Sequence, residues 1–256
     1  MRILRYILSI ACVAMFTTSC VVSRAILYGD ASVDDYRAFE QENIAKGDYT
    51  FRFAELTESE RMLDTMRFEW MHFGKGEVAQ MTIDEAITPS VDNAAIIIIH
   101  RDTILYERYF GEWSKNTQSQ IFSVSKTITA MLCGVALTEG HIRSVEDSVT
   151  EYLPELKQAN PMFGELKIKH LLDMTAGLDF DENYSFNPFS KMAKLYMGRN
   201  TMRIIERAKF SHKPGERYDY NSLTTAILGV VIERATGMPY AEYLSSKIWQ
   251  PLGMEQ

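Results

Sequence analysis

The chain has 256 residues, 46% apolar and 24% charged, enough to bury a sizeable core as one large domain or two small ones. A net charge of −7 with both signs interspersed argues against a nucleic-acid binder, which presents a basic face. With 11% aromatics, 14 glycines and 7 prolines the composition is not that of a disordered chain, and three cysteines cannot build a disulfide framework.

Residues 1–19 read as an export signal. Arg2 and Arg5 form a positive start, Ile7 to Phe16 an apolar stretch too short to span a bilayer comfortably, and Thr17-Thr18-Ser19-Cys20 resembles the end of a bacterial lipoprotein signal. That pattern predicts lipidation at Cys20 and a protein held at the periplasmic face or outer membrane. A simple cleaved signal and an uncleaved anchor are the alternatives. Cys133, inside an apolar helical run, is expected to be a small buried hydrophobe.

Residues 20–55 are weakly patterned and read as a tether, leaving 56–256 as the folded domain. Leu63, Met66, Trp70 and Phe73 recur at helical spacing and predict a helix over 56–74 with Gly74 as its stop. The methionines between Met62 and Met81 are expected in the core or on a packing surface. Ala94 to His100 is the clearest strand, joined by Arg101-Asp102 to a second strand, Thr103 to Phe110. This predicts an antiparallel hairpin whose first strand is buried on both faces and needs further neighbours.

From Ser123 to Glu139 the period becomes helical, with Ile128, Met131, Leu132, Val135 and Ala136 on one side and Gly140 as the stop. A short helix follows over 168–174, ending at Gly177, and 178–200 reads as a long loop beside a site. Pro214-Gly215 marks a turn, Leu223 to Thr236 a helix stopped by Gly237, and Pro239 opens a last helix through Trp249. His72, His100, His141, His170 and His212 show no metal-ligand spacing and are expected in turns or on surfaces. Asp179, Asp181 and Glu182 could meet a substrate amine, or simply be solvated.

Ser123-Val124-Ser125-Lys126 is the only S-x-x-K in the chain. If Ser123 opens a helix, a spacing of three puts the Lys126 amine on the same face, within reach of the serine hydroxyl. An amine there could take the serine's proton, and the Ser123 N–H at the helix start could donate to an oxyanion. The plain alternative is an N-cap serine beside a solvated lysine. Tyr220-Asn221-Ser222 precedes another apolar helix. There Tyr220 could serve as base or proton relay and Ser222 could bond substrate or lysine; alternatively Tyr220 packs under the helix and Ser222 caps it.

Taken together, the segments IIIIHRDTILYERYF, IFSVSKTITAMLCGVALTEGHI, YLPEL, IKHLLDMTAGLDFDENY, KPGERYDYNSLTTAILGVVIERATG and IWQPLGME resemble, in order, the serine β-lactamase-related hydrolases. That group contains class C β-lactamases, DD-peptidases, esterases and 6-aminohexanoate-dimer hydrolase. The resemblance covers roughly residues 85–255. It implies an α+β fold of the β-lactamase/transpeptidase type, with a helical region and the N-terminal hairpin of an antiparallel sheet. It also implies Ser123 as the acylated nucleophile, Lys126 as its partner and Tyr220 as the tyrosine of the second motif.

The implied activity is hydrolysis of an amide or ester through an acyl-enzyme, on a small-molecule or peptide-like substrate, without metal or organic cofactor. Ser222 stands where β-lactamases and DD-peptidases usually have an asparagine that contacts the substrate's acylamino group, which argues against β-lactam recognition. The family's third motif, Lys-Thr-Gly or His-x-Gly, would follow Pro251-Leu252-Gly253-Met254, so the domain is expected to be incomplete at its C-terminus. The rival expectation is a catalytically inactive truncated or ligand-binding relative.

Overall fold

The computed structural model describes residues 21–71, 76, 78–87, 94–185 and 187–255. The proposed signal, Cys20, Gly74 and His72 therefore lie outside the described residues. The chain divides into a unit of residues 1–49 with 119–256 and a unit of residues 50–118.

The first stretch departs from the weak patterning expected of a tether. It forms helix α1, Val21–Tyr28. Buried Arg24 donates from Nη1 to the Met197 carbonyl (2.9 Å) and from Nη2 to that of Ala38 (3.3 Å). Buried Asp35 accepts from the Tyr196 hydroxyl at 2.9 Å. Two charged side chains do the anchoring, and a hydrophobicity pattern scores such residues as solvent-facing.

Within residues 50–118 the helix expected over 56–74 does not form in its described part, residues 56–71. Thr57 and Glu60 close a capping box on a single 3-10 turn, a second such turn spans Met62–Asp64, and the chain becomes extended. Strand β1, Ala54–Glu55, precedes those turns, and β2, Phe68–Met71, pairs antiparallel with β3, Val78–Met81. Burial alternates residue by residue along β2, a period of two that overrides the helical spacing of Leu63, Met66 and Trp70. Met62, Met66 and Met71 are exposed, contrary to the packing role expected of them.

After the short helix α2, Ile83–Ile87, the predicted hairpin forms from β4, Ala95–His100, and β5, Thr103–Tyr109. Its two-residue turn places Arg101 (φ 50°) and Asp102 (φ 58°) in the left-handed region, as a hairpin turn matched to strand twist requires. A bulge between Ile98 and Ile99 shifts the register. β1 adds parallel to β5, giving the order β1-β5-β4. The burial of β4 alternates, with Ile97 50% and Ile99 39% exposed, so its first face is half-buried and its second open, not buried on both. Asp84 ties α2 to β5: it accepts from the Tyr106 hydroxyl (2.6 Å) and from Arg108 Nη2 (3.0 Å).

The helical unit holds the large apolar core. α3, Val124–Thr138, and α8, Ser222–Thr236, pack on one another through Leu132, Ala136, Ile227, Leu228 and Val231. Thr129, Leu132, Cys133 and Ala136 form the buried stripe of α3, while Met131, expected inside, is exposed. Cys133 is buried as expected, and burial pushes its thiol up to about 11. Gly140 (φ 79°) and Gly237 (φ 69°) take the left-handed conformation that stops these helices.

Between them lie α4, Leu156–Ala159, and α5, Ile168–Leu172. His170 on α5 is buried, not at the surface: its Nδ1 accepts from the Lys167 N–H at 3.2 Å. The stretch expected as an open loop contains α6, Lys191–Met197, capped by Ser190, and α7, Thr201–Glu206, begins just past it, capped by Asn200. α9, Tyr240–Leu244, continues into a wider turn through Trp249, as the last helix predicted. Gly177 (φ 73°) brings two segments together: a Cβ there would lie 2.5 Å from the His212 carbonyl oxygen, and its own carbonyl accepts from Ser211 N–H at 2.9 Å.

Candidate active site

The backbone presents Ser123 at a sharp bend. Phe122 has φ 43°, a costly conformation for an aromatic residue, and Ser123 follows with φ −68° and ψ −11° at the head of α3. The Ser123 side chain makes no capping bond, so the plain N-cap reading fails. Instead its Oγ lies within hydrogen-bond distance of Lys126 Nζ, at 3.1 Å, and accepts from the Tyr220 hydroxyl at 2.9 Å. The three-residue spacing works as expected because one helical turn places Lys126 over Ser123. Lys126 Nζ also lies 5.0 Å from the centre of the Tyr220 ring.

Tyr220 and Ser222 arrive from the head of α8, and the cap there is Asn221. Its buried Oδ1 accepts from the Leu223 (3.0 Å) and Thr224 (3.3 Å) N–H groups. With capping done by Asn221, the Ser222 hydroxyl is released to accept from Lys126 Nζ at 3.0 Å. The structure thus brings together Ser123, Lys126, Tyr220 and Ser222; Cys20 lies outside the described residues.

Two further residues enter from the acidic loop. The Glu182 carboxylate accepts from the Ser222 N–H (2.9 Å), from the Ser222 hydroxyl, and from the Tyr184 hydroxyl (2.6 Å). Burial, then the bond to Glu182, pushes the Tyr184 phenol up to about 12. Of the three acids weighed in sequence, Glu182 faces the site, Asp179 pairs with Lys191 at 2.8 Å, and Asp181 is exposed. Nothing in the local sequence separates Glu182 from its solvated neighbours, because the loop has no period.

A cleft of about 430 Å³ opens beside Ser123. Ile121, Phe122, Met192, Leu195, Ala226 and Gly229 supply apolar walls, and among the described residues Lys126 is the one charged side chain of the lining. Among the described residues no group of three or more His, Cys, Asp or Glu could hold a metal ion, and no helix is long and apolar enough to cross a membrane.

Comparison with known proteins gives this arrangement its setting. The beta-lactamase family profile matches residues 82–256. The 6-aminohexanoate-dimer hydrolase of Paenarthrobacter ureafaciens is 26% identical over 173 residues, 63% of this chain and 43% of that protein. Protein flp of Staphylococcus aureus (strain COL) is 25% identical over 173 residues, 64% of this chain and 34% of that protein. The match thus takes in less than half the length of each of these relatives.

Among solved structures, a candidate 6-aminohexanoate-dimer hydrolase from Bacillus anthracis superposes with a TM-score of 0.63 at 23% identity, covering 86% of this chain and 58% of that one. FmtA from Staphylococcus aureus gives 0.54 at 20% identity, covering 86% and 56%. At those identities the structures speak for the fold, which is the α+β arrangement of β-lactamases and transpeptidases. With most of its length matched, the chain belongs to the beta-lactamase family, a family of hydrolases.

Proposed function

We propose that the protein is a serine hydrolase that cleaves a small amide or ester through an acyl-enzyme on Ser123. The observation that carries this reading is the pair of contacts on one hydroxyl, Lys126 Nζ at 3.1 Å and Tyr220 Oη at 2.9 Å. As Ser123 Oγ attacks the carbonyl carbon, its proton passes to the Lys126–Tyr220 pair. The same pair returns that proton to the departing nitrogen or oxygen as the C–N or C–O bond breaks. Water then adds to the acyl carbon and gives up a proton by the same route, freeing the acid and Ser123.

The Ser123 N–H, without an acceptor among the described residues, is suited to receive the oxyanion. Ser222 in place of asparagine favours simple amides or esters over β-lactams. The apolar cleft supports a small-molecule substrate. Export and anchoring through a lipidated Cys20, in the periplasm or at the outer membrane, complete the proposal.

The test is covalent labelling with a fluorophosphonate, in which Ser123 Oγ bonds phosphorus and fluoride leaves. Wild-type protein is expected to label and Ser123→Ala to lose labelling entirely. Equal labelling of both proteins overturns the assignment of the nucleophile, and a wild type that does not label points to the inactive relative.

A further inference from the structure

The direction of one hydroxyl hydrogen decides what Lys126 can do. A neutral lysine amine has two hydrogens and a single lone pair. To take the proton of Ser123, that lone pair must face Ser123, so every other contact of Nζ must be one in which lysine donates. Ser222 Oγ is such a contact at 3.0 Å, yet a serine hydroxyl donates as readily as it accepts. If its hydrogen turned toward Nζ, it would occupy the lone pair the reaction needs.

Glu182 removes that choice. An ionised carboxylate only accepts, and this one takes the Ser222 O–H on Oε1 and the Ser222 N–H on Oε2 at 2.9 Å. With its hydrogen committed to Glu182, Ser222 Oγ shows Lys126 only lone pairs. Tyr184, donating to the same carboxylate at 2.6 Å, holds Glu182 in that orientation. The ionisable groups gathered around this network are Lys126 from α3, Tyr220 ahead of α8, and Tyr184 on the loop of Glu182 itself.

We infer that Glu182 is a positioning residue: through the Ser222 hydroxyl it keeps the Lys126 lone pair directed at Ser123. The inference rests on the acyl-enzyme reading above. It also assigns the carboxylate a task other than binding a substrate amine, since it already accepts three hydrogen bonds inside the protein.

The experiment measures the fluorophosphonate labelling rate of the full chain from pH 5.5 to 9.5 in wild type, S123A, E182Q, E182D, S222A and the S222A/E182Q double variant. The glutamine amide can donate to Ser222 and turn its hydroxyl toward Lys126. E182Q is therefore expected to label about tenfold more slowly or worse, with an altered pH profile, while melting near the wild-type temperature. E182D, which stays acceptor-only, is expected to recover part of the rate even if E182Q folds poorly.

Because Glu182 acts through Ser222, adding E182Q to S222A should cost nothing further. Wild-type rates and profile in E182Q overturn the inference, as does an undiminished loss when E182Q is added to S222A. S123A separates the two readings: labelling that survives it defeats the acyl-enzyme proposal, whereas its loss together with a normal E182Q defeats only the role of Glu182.

Discussion

The two units solve the problem of burial differently. In the helical unit a contiguous apolar core runs through α3, α5 and α8, with Leu132, Phe163, Ile168, Ile227 and Val231 all without exposed surface. Among the described residues of 50–118, only Ile83 and Tyr106 are buried apolar side chains. That unit relies on strand ladders and on the Asp84–Tyr106–Arg108 group. The contrast teaches where the chemistry can sit: an S-x-x-K pair needs its helix held rigidly, and α3 sets Thr129, Leu132, Cys133 and Ala136 into the core.

The largest expected effect tests that contrast with one kind of substitution in both units. Leu132→Ala removes a fully buried side chain from α3 and should cost about 2–5 kcal/mol in urea-induced unfolding. Ile97→Ala acts on a half-exposed strand position and should cost under about 1 kcal/mol. Equal costs would show that the strand unit is as tightly cored as the helical one. Leu132→Ala should also slow labelling of Ser123, because the cavity loosens the helix that carries it.

A second, smaller effect probes the polar group that stands in for a core. Arg108, then Tyr106, hold the Asp84 carboxyl below its usual range, and burial, then Asp84, pushes the Tyr106 phenol up to about 12. Asp84→Ala leaves the buried Tyr106 hydroxyl without its acceptor and should cost about 1–3 kcal/mol. Amide hydrogen exchange along Thr103–Tyr109 should accelerate while that of α3 stays unchanged. Exchange that rises equally in both would mean the two units open together.

The same division governs what could be read in sequence. α3 and α8 were legible because fifteen-residue helices repeat their apolar stripe several times and end on glycines at positive φ. Ser123, Lys126, Tyr220 and Ser222 were legible because motif spacing carries their geometry. The strand unit was harder: β1, β2 and β3 have two to four residues each, too few for a period to outvote the helical spacing of Leu63, Met66 and Trp70. The inward contacts of Glu182, Arg24 and Asp35 escaped for a common reason. Each is a charged residue used inward, and only the fold shows the partner that makes this affordable.

His170 offers the finest probe, because it is a titratable group inside the apolar core of the helical unit. It is 8% exposed, and burial lowers its pKa below the ordinary 6.5, outweighing the nearby Asp173; Lys169 and Lys167 push the same way as burial, and Glu146 opposes it. Well above pH 6.5 the ring is neutral in folded and unfolded chains alike and adds nothing to the pH dependence. As pH falls through that value the unfolded chain takes up the proton first, so stability is lost on the acid side. The urea midpoint of the wild type should therefore drop between pH 7.5 and 5.5, by less than either substitution above. His170→Gln keeps an acceptor at the third position of α5 for the Lys167 N–H, the bond now made by Nδ1 at 3.2 Å, and removes the titration. It should flatten that part of the profile without lowering stability at pH 7.5. A drop of the same size in both proteins would assign the acid sensitivity to the surface carboxylates rather than to the core.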